Sequence, residues 1–88
     1  MPFNHIKLRR LRELFGYSQA AVAYSLNVAQ ATYHRLESGK SKLDADQLEA
    51  VTRLYGITVE EMLTYDSTQL LQLVVTREAF MKLSHEQS

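Results

Sequence analysis

Ser18-Gln19-Ala20-Ala21-Val22-Ala23-Tyr24-Ser25-Leu26-Asn27-Val28-Ala29-Gln30-Ala31-Thr32-Tyr33-His34-Arg35-Leu36-Glu37 is the stretch that decides the fold. Ser18 has the chemistry of an N-cap, and a short helix from Gln19 to about Leu26 follows it. Asn27 breaks that helix, because asparagine tolerates the left-handed backbone that a tight turn requires. A second short helix runs from about Gln30 to Glu37 and is closed by Ser38-Gly39. Val22, Leu26, Val28, Tyr33 and Leu36 can form one inward face. Ala23 is small where the two helices approach most closely. Any compact helical bundle would want that amphipathicity. What a bundle alone does not predict is the outward face of the second helix. Gln30, Ala31, Thr32, His34 and Arg35 include no acidic residue, and Arg35 and Lys40 flank its end.

Working outward, His5 to Phe15 has helical spacing in Ile6, Leu8, Leu11, Leu14 and Phe15, with Lys7, Arg9, Arg10 and Arg12 as a basic outer face. Asn4 is its candidate N-cap and Gly16 its stop. Lys40, Ser41 and Lys42 form a basic connector. Asp44 caps a fourth helix to Tyr55, with Leu48, Val51 and Leu54 on one face and Gly56 at its end. Thr58-Val59-Glu60-Glu61 is a capping box that opens a short fifth helix through Leu63. Residues 1–63 carry no strand signal.

The tail opens with Asp66-Ser67-Thr68-Gln69, which is box-like, and Tyr65 and Leu70 are spaced as a hydrophobic staple. Periodicity leaves two readings of the apolar run that follows. As a helix, Leu70, Leu73, Val74, Arg77 and Met81 share a face. As a strand, Leu71, Leu73 and Val75 share one, and Thr76 caps a following helix.

Composition narrows the function. At 88 residues, with 45% hydrophobic and 23% charged, the chain is one small folded domain. It has no cysteine, so neither disulfides nor thiolate chemistry are available. No apolar run approaches the roughly 18 residues of a membrane span, and the N-terminus lacks the layout of a signal peptide. A cytoplasmic location without a membrane partner is expected. His5, His34 and His85 are scattered without metal-ligand spacing, and phosphate-cradling glycine loops are absent, so no metal, cofactor or enzymatic activity is expected. The formal charge of zero hides an asymmetry: residues 1–42 carry +5 and residues 43–88 carry −5. One end of the molecule is suited to a polyanion.

Two short helices joined by a tight turn form the geometry of a helix-turn-helix, and the chain resembles the XRE family of phage repressor and Cro-like proteins. The resemblance rests on Leu11-Arg12-Glu13, Gly16-Tyr17-Ser18-Gln19, Val22-Ala23 and Leu26-Asn27-Val28. It continues through Tyr33-His34-Arg35-Leu36-Glu37-Ser38-Gly39-Lys40 to Tyr55-Gly56-Ile57-Thr58-Val59-Glu60-Glu61-Met62-Leu63. Singly these are weak; in this order and spacing they are specific. Asn27 stands in place of the usual turn glycine, Leu43 where proline often precedes the fourth helix, and Ala29 where Ser or Thr usually caps the recognition helix.

The resemblance implies an all-α, five-helix, lambda-repressor-like DNA-binding domain over residues 1–64. Residues 65–88 then form a short C-terminal extension, either helix or strand then helix. It also implies a third helix lying in the major groove. Gln30 suits adenine N6 and N7, Ala31 a thymine methyl, and Arg35 guanine O6 and N7. Gln19, Ala29, Thr32, His34, Lys40, Lys42 and Arg10 suit phosphates or groove edges. Arg12 and Glu37 match a structural ion pair of the family and are not counted as DNA ligands.

The expected function is a sequence-specific DNA-binding regulator, a repressor, bound to a near-palindromic operator in double-stranded DNA. The alternative is a protein-interaction module or antitoxin-type partner that works through the acidic half and the tail. One recognition helix reads too few base pairs for selectivity. The apolar Leu70, Leu71, Leu73, Val74, Val75, Phe80 and Met81 of the tail are therefore expected to hold a homodimer.

Overall fold

A computed structural model describes residues 5–87, with side chains described through residue 79. These residues form six helices: α1 (Ile6–Phe15), α2 (Gln19–Ser25), α3 (Gln30–Glu37), α4 (Ala45–Tyr55), α5 (Val59–Thr64) and α6 (Ser67–Gln87). The described residues are all-α, and the tail is one helix rather than a strand and a helix.

Local chemistry explains where most of these helices begin. The Ser18 hydroxyl accepts from the backbone N–H of Ala21 at 3.0 Å. Asp44 with Gln47 and Thr58 with Glu61 form reciprocal capping boxes. Asp66 and Gln69 make the same pair of bonds, at 3.1 and 2.8 Å, at the start of α6. Ala29 offers α3 no side-chain cap. The residue expected to cap α1, Asn4, lies outside the described residues. Asn27 has φ 58°, the left-handed turn expected of it.

Gly39 is needed for two reasons. Its φ is 81°, and the His5 ring lies 2.8 Å from where a Cβ would stand. That contact seats the start of α1 on the turn after α3.

The core is continuous across all six helices. Leu8 and Leu11 of α1, Val22 and Ala23 of α2, Tyr33 and Leu36 of α3, Val51 and Tyr55 of α4, and Met62 of α5 are all buried in it. So are Leu70 (0% exposed) and Val74 (3%) of α6. Residues 64 and 65 lie at the α5–α6 junction, and the first two turns of α6 belong to the same core as the helices before it. Arg77 ties the next turn down, giving two hydrogen bonds to the Glu61 carboxylate, at 3.0 and 2.7 Å, and one to the Gly56 carbonyl at 3.2 Å. The reading of Lys7 as part of an exposed basic face is corrected. Lys7 is buried, and its Nζ donates to the Met62 carbonyl at 2.7 Å. The carbonyl near the end of α5 needs a donor, and the long aliphatic stem of lysine can lie across apolar surface to supply one. Burial lowers the Lys7 pKa against an opposing pull from Asp66.

Candidate nucleic-acid interface

At 100° per residue, α3 sorts its side chains onto two sides. Tyr33, Leu36 and Glu37 turn inward and are buried; Gln30, Ala31, His34 and Arg35 are exposed, and Thr32 sits half-buried between them. Val28 packs partly buried against the core just before α3. Anchored on one side by this packing and on the other by α2, α3 presents its second side to solvent.

On that side an open, shallow depression is lined by Gln19, Gln30, Ala31, His34, Arg35 and Lys40. Six residues expected at a DNA surface are thus brought together from α2, α3 and the turn after α3. Ala29, Thr32 and Lys42 are not part of its lining. Arg10 does not reach it at all: its Nη1 donates to Ser67 Oγ at 3.2 Å, on the α6 side of α1. A residue next to Arg10 in sequence points elsewhere because one helical step turns the side chain by about 100°.

Arg9, placed by the sequence on the basic face of the first helix but not among the expected DNA contacts, lies beside this surface. With Arg12, Gln19, His34, Glu37 and Ser38 it lines a second polar depression that adjoins the first through Gln19 and His34. The signal was present, since His5, Arg9 and Arg12 recur at i, i+4 and i+7. Only the position of α3 shows that this edge of α1 faces it.

Beneath the surface, Arg12 grips Glu37 with two hydrogen bonds. Its Nε donates to Oε2 at 2.6 Å and its Nη2 to Oε1 at 3.1 Å, while its Nη1 donates to the Tyr17 carbonyl at 3.1 Å. Gln19 Nε2 donates to the same Glu37 Oε1 at 3.3 Å. Burial pushes the Glu37 carboxyl up, but hydrogen bonds led by that of Arg12 outweigh it and hold the pKa below the ordinary value. Tyr33 and Tyr55 are pushed up, first by burial and then by Glu37, which acts on Tyr33 through close polar interaction as well as charge and on Tyr55 through its charge. This network fixes the start of α2 against the end of α3.

The tail residues named as dimer contacts divide. Leu70 and Val74 are committed to the molecule's own core. Leu71 and Leu73 are half-buried and Val75 is 50% exposed. Val75 lines an apolar groove with Leu14, Phe15, Val74, Glu78 and Ala79, between α1 and α6. Phe80 and Met81 lie outside the residues whose side chains are described. Among the described residues, no group of His, Asp and Glu has metal-binding geometry, and no helix is long and apolar enough to cross a membrane.

Comparison with solved structures finds the fold again in the crystal structure of a transcriptional regulator from Listeria innocua. The TM-score is 0.67 at 21% identity, covering 99% of this chain and 94% of that one. Comparison with curated proteins gives no match. A family model described as a helix-turn-helix domain matches residues 6–64, well over half of the sequence. With the α2–turn–α3 unit at the centre of that match, the chain belongs to the helix-turn-helix domain family.

Proposed function

We propose that this protein is a sequence-specific DNA-binding transcriptional regulator, a repressor, that lays α3 in the major groove of a near-palindromic operator. The observation that carries the reading is the depression along α3, whose six lining residues are polar, basic or small and include no carboxylate. Gln30 and Arg35 are the base-reading side chains and Ala31 the methyl contact. Lys40, Lys42 and the amide end of Gln19 hold phosphates, with Thr32, His34 and Ala29 at the groove edge.

Selection of bound duplexes from a random pool, followed by affinity measurements, tests this. Arg35→Ala and Gln30→Ala each relax the preference at one or two base pairs, at a cost of about 1–3 kcal/mol. Lys40→Ala weakens binding to all sequences alike and flattens the salt dependence by about one unit. Equal affinity of the wild type for every duplex would overturn specific recognition. A change of base preference in Lys40→Ala but not in Arg35→Ala would overturn the docking.

The operator reading requires two recognition helices about one DNA turn apart, roughly 34 Å. The surface for a second copy is the apolar groove between α1 and α6, on the edge of α1 away from α3, where Leu14 is 43% exposed and Val75 50%. Both positions tolerate charge in a single chain. L14E/V75E therefore halves the light-scattering mass of the protein while leaving its circular dichroism unchanged. A wild type with the mass of one chain at tens of micromolar would sink this arrangement.

A further inference from the structure

We infer that Arg9 and His34, which line the same polar depression beside α3, form a binding site for one backbone phosphate of duplex DNA. The inference rests on the DNA-binding reading above and adds a site to it. Three observations lead there. The depression adjoins the α3 surface, sharing Gln19 and His34 with it, so a strand lying along α3 meets Arg9 next. Arg12, the other arginine in the lining, is spent, since Nε, Nη1 and Nη2 are all engaged by Glu37 and Tyr17. Among the described residues, Arg9 pairs with Glu13, at 3.6 Å, and both side chains of that pair are more than half exposed. Such an exposed pair is weak and is readily exchanged for a stronger anion.

A guanidinium presents a planar fork of N–H donors that matches phosphate oxygens. The His34 ring adds a further N–H donor from α3 itself, so the two side chains take the phosphate from two helices. The Ser38 hydroxyl is already donated to the Arg35 carbonyl, at 3.2 Å, and is not counted. Glu13 competes with the phosphate for Arg9 and acts as a brake on binding.

The test is fluorescence anisotropy of the full chain with a labelled duplex of arbitrary sequence, long enough for two half-sites, between about 50 and 200 mM potassium chloride. Sequence-independent binding reports phosphate contacts. R9Q weakens binding by about 3–10-fold at the low-salt end and reduces the slope of log K against log salt by about 0.9. R9K keeps most of the slope. E13Q releases Arg9 and tightens binding by about twofold. R53Q removes the same charge from another exposed pair, Arg53 with Glu49 at 2.7 Å, outside both depressions, and leaves the slope unchanged. If R9Q keeps the wild-type slope, or if R9Q and R53Q change it equally, the Arg9 site is overturned while the DNA-binding reading stands. If the wild type binds no duplex in a salt-dependent manner, both fall.

Discussion

Arg12→Ala lowers the stability of the domain by about 3–5 kcal/mol, because it strands a buried carboxylate. Glu37 is 7% exposed, and the side chain of Arg12 is only 15% exposed, so the carboxylate left behind has little access to water as an alternative partner. A chain of this size has about 4–13 kcal/mol to lose, so the variant forfeits a large share of its stability. Its pH dependence also reverses. In the wild type the Glu37 carboxyl lies below the ordinary value of 4.5 when folded. Its contribution is complete above the unfolded value and is lost as the pH falls through the lowered folded value. In Arg12→Ala the burial that opposes ionisation remains and its chief counterweight is gone, so the folded value moves above 4.5. That variant gains stability as the pH falls through the raised value toward 4.5. Urea unfolding at a series of pH values reads both effects. A loss below about 1 kcal/mol with an unchanged pH slope would mean that the pair is no more than a surface contact. Replacing both partners, in R12M/E37M, restores much of the loss, since no unpaired charge is then buried.

A chain ending at Tyr65 does not fold cooperatively, although the family match ends at residue 64. Removing α6 takes away Leu70 and Val74, which are 0% and 3% exposed. Each buried aliphatic side chain stabilises by about 1.5–3 kcal/mol, so the pair contributes about 3–6 kcal/mol. That approaches the whole margin of a small domain. The cut also uncovers the α6-facing side of α1 and deprives Glu61 and the Gly56 carbonyl of the Arg77 guanidinium. A chain ending at Ala79 keeps all of these contacts and melts in a single transition. Thermal unfolding followed by near-ultraviolet circular dichroism separates the two truncations. A cooperative transition at the wild-type midpoint for the chain ending at Tyr65 would show that α6 is an appendage.

The sequence by itself determined the elements whose signals are local. Ser18, Asp44 with Gln47, Thr58 with Glu61 and Asp66 with Gln69 act on backbone N–H groups within three residues of themselves, so a helix start can be read without knowing the fold. Asn27 is equally local, since its φ of 58° is a property of the turn. The 3.6-residue period divided α3 into an inward and an outward side, and the family resemblance implied the five-helix arrangement in which that side is presented.

The tertiary structure alone decided matters that depend on which neighbour a helix meets. Arg9 and Arg10 are equivalent in sequence. Only the placement of α1 between α3 and α6 sends Arg9 to the polar depression and Arg10 to Ser67. Lys7 reads as an exposed cation until the end of α5 arrives over it with a carbonyl that needs a donor. In α6, Leu70, Leu71, Leu73, Val74 and Val75 surround the helix, so periodicity cannot select the buried side. Contact with α1 selects Leu70 and Val74 and leaves Val75 outside, because a helix can bury only the stripe that another element covers.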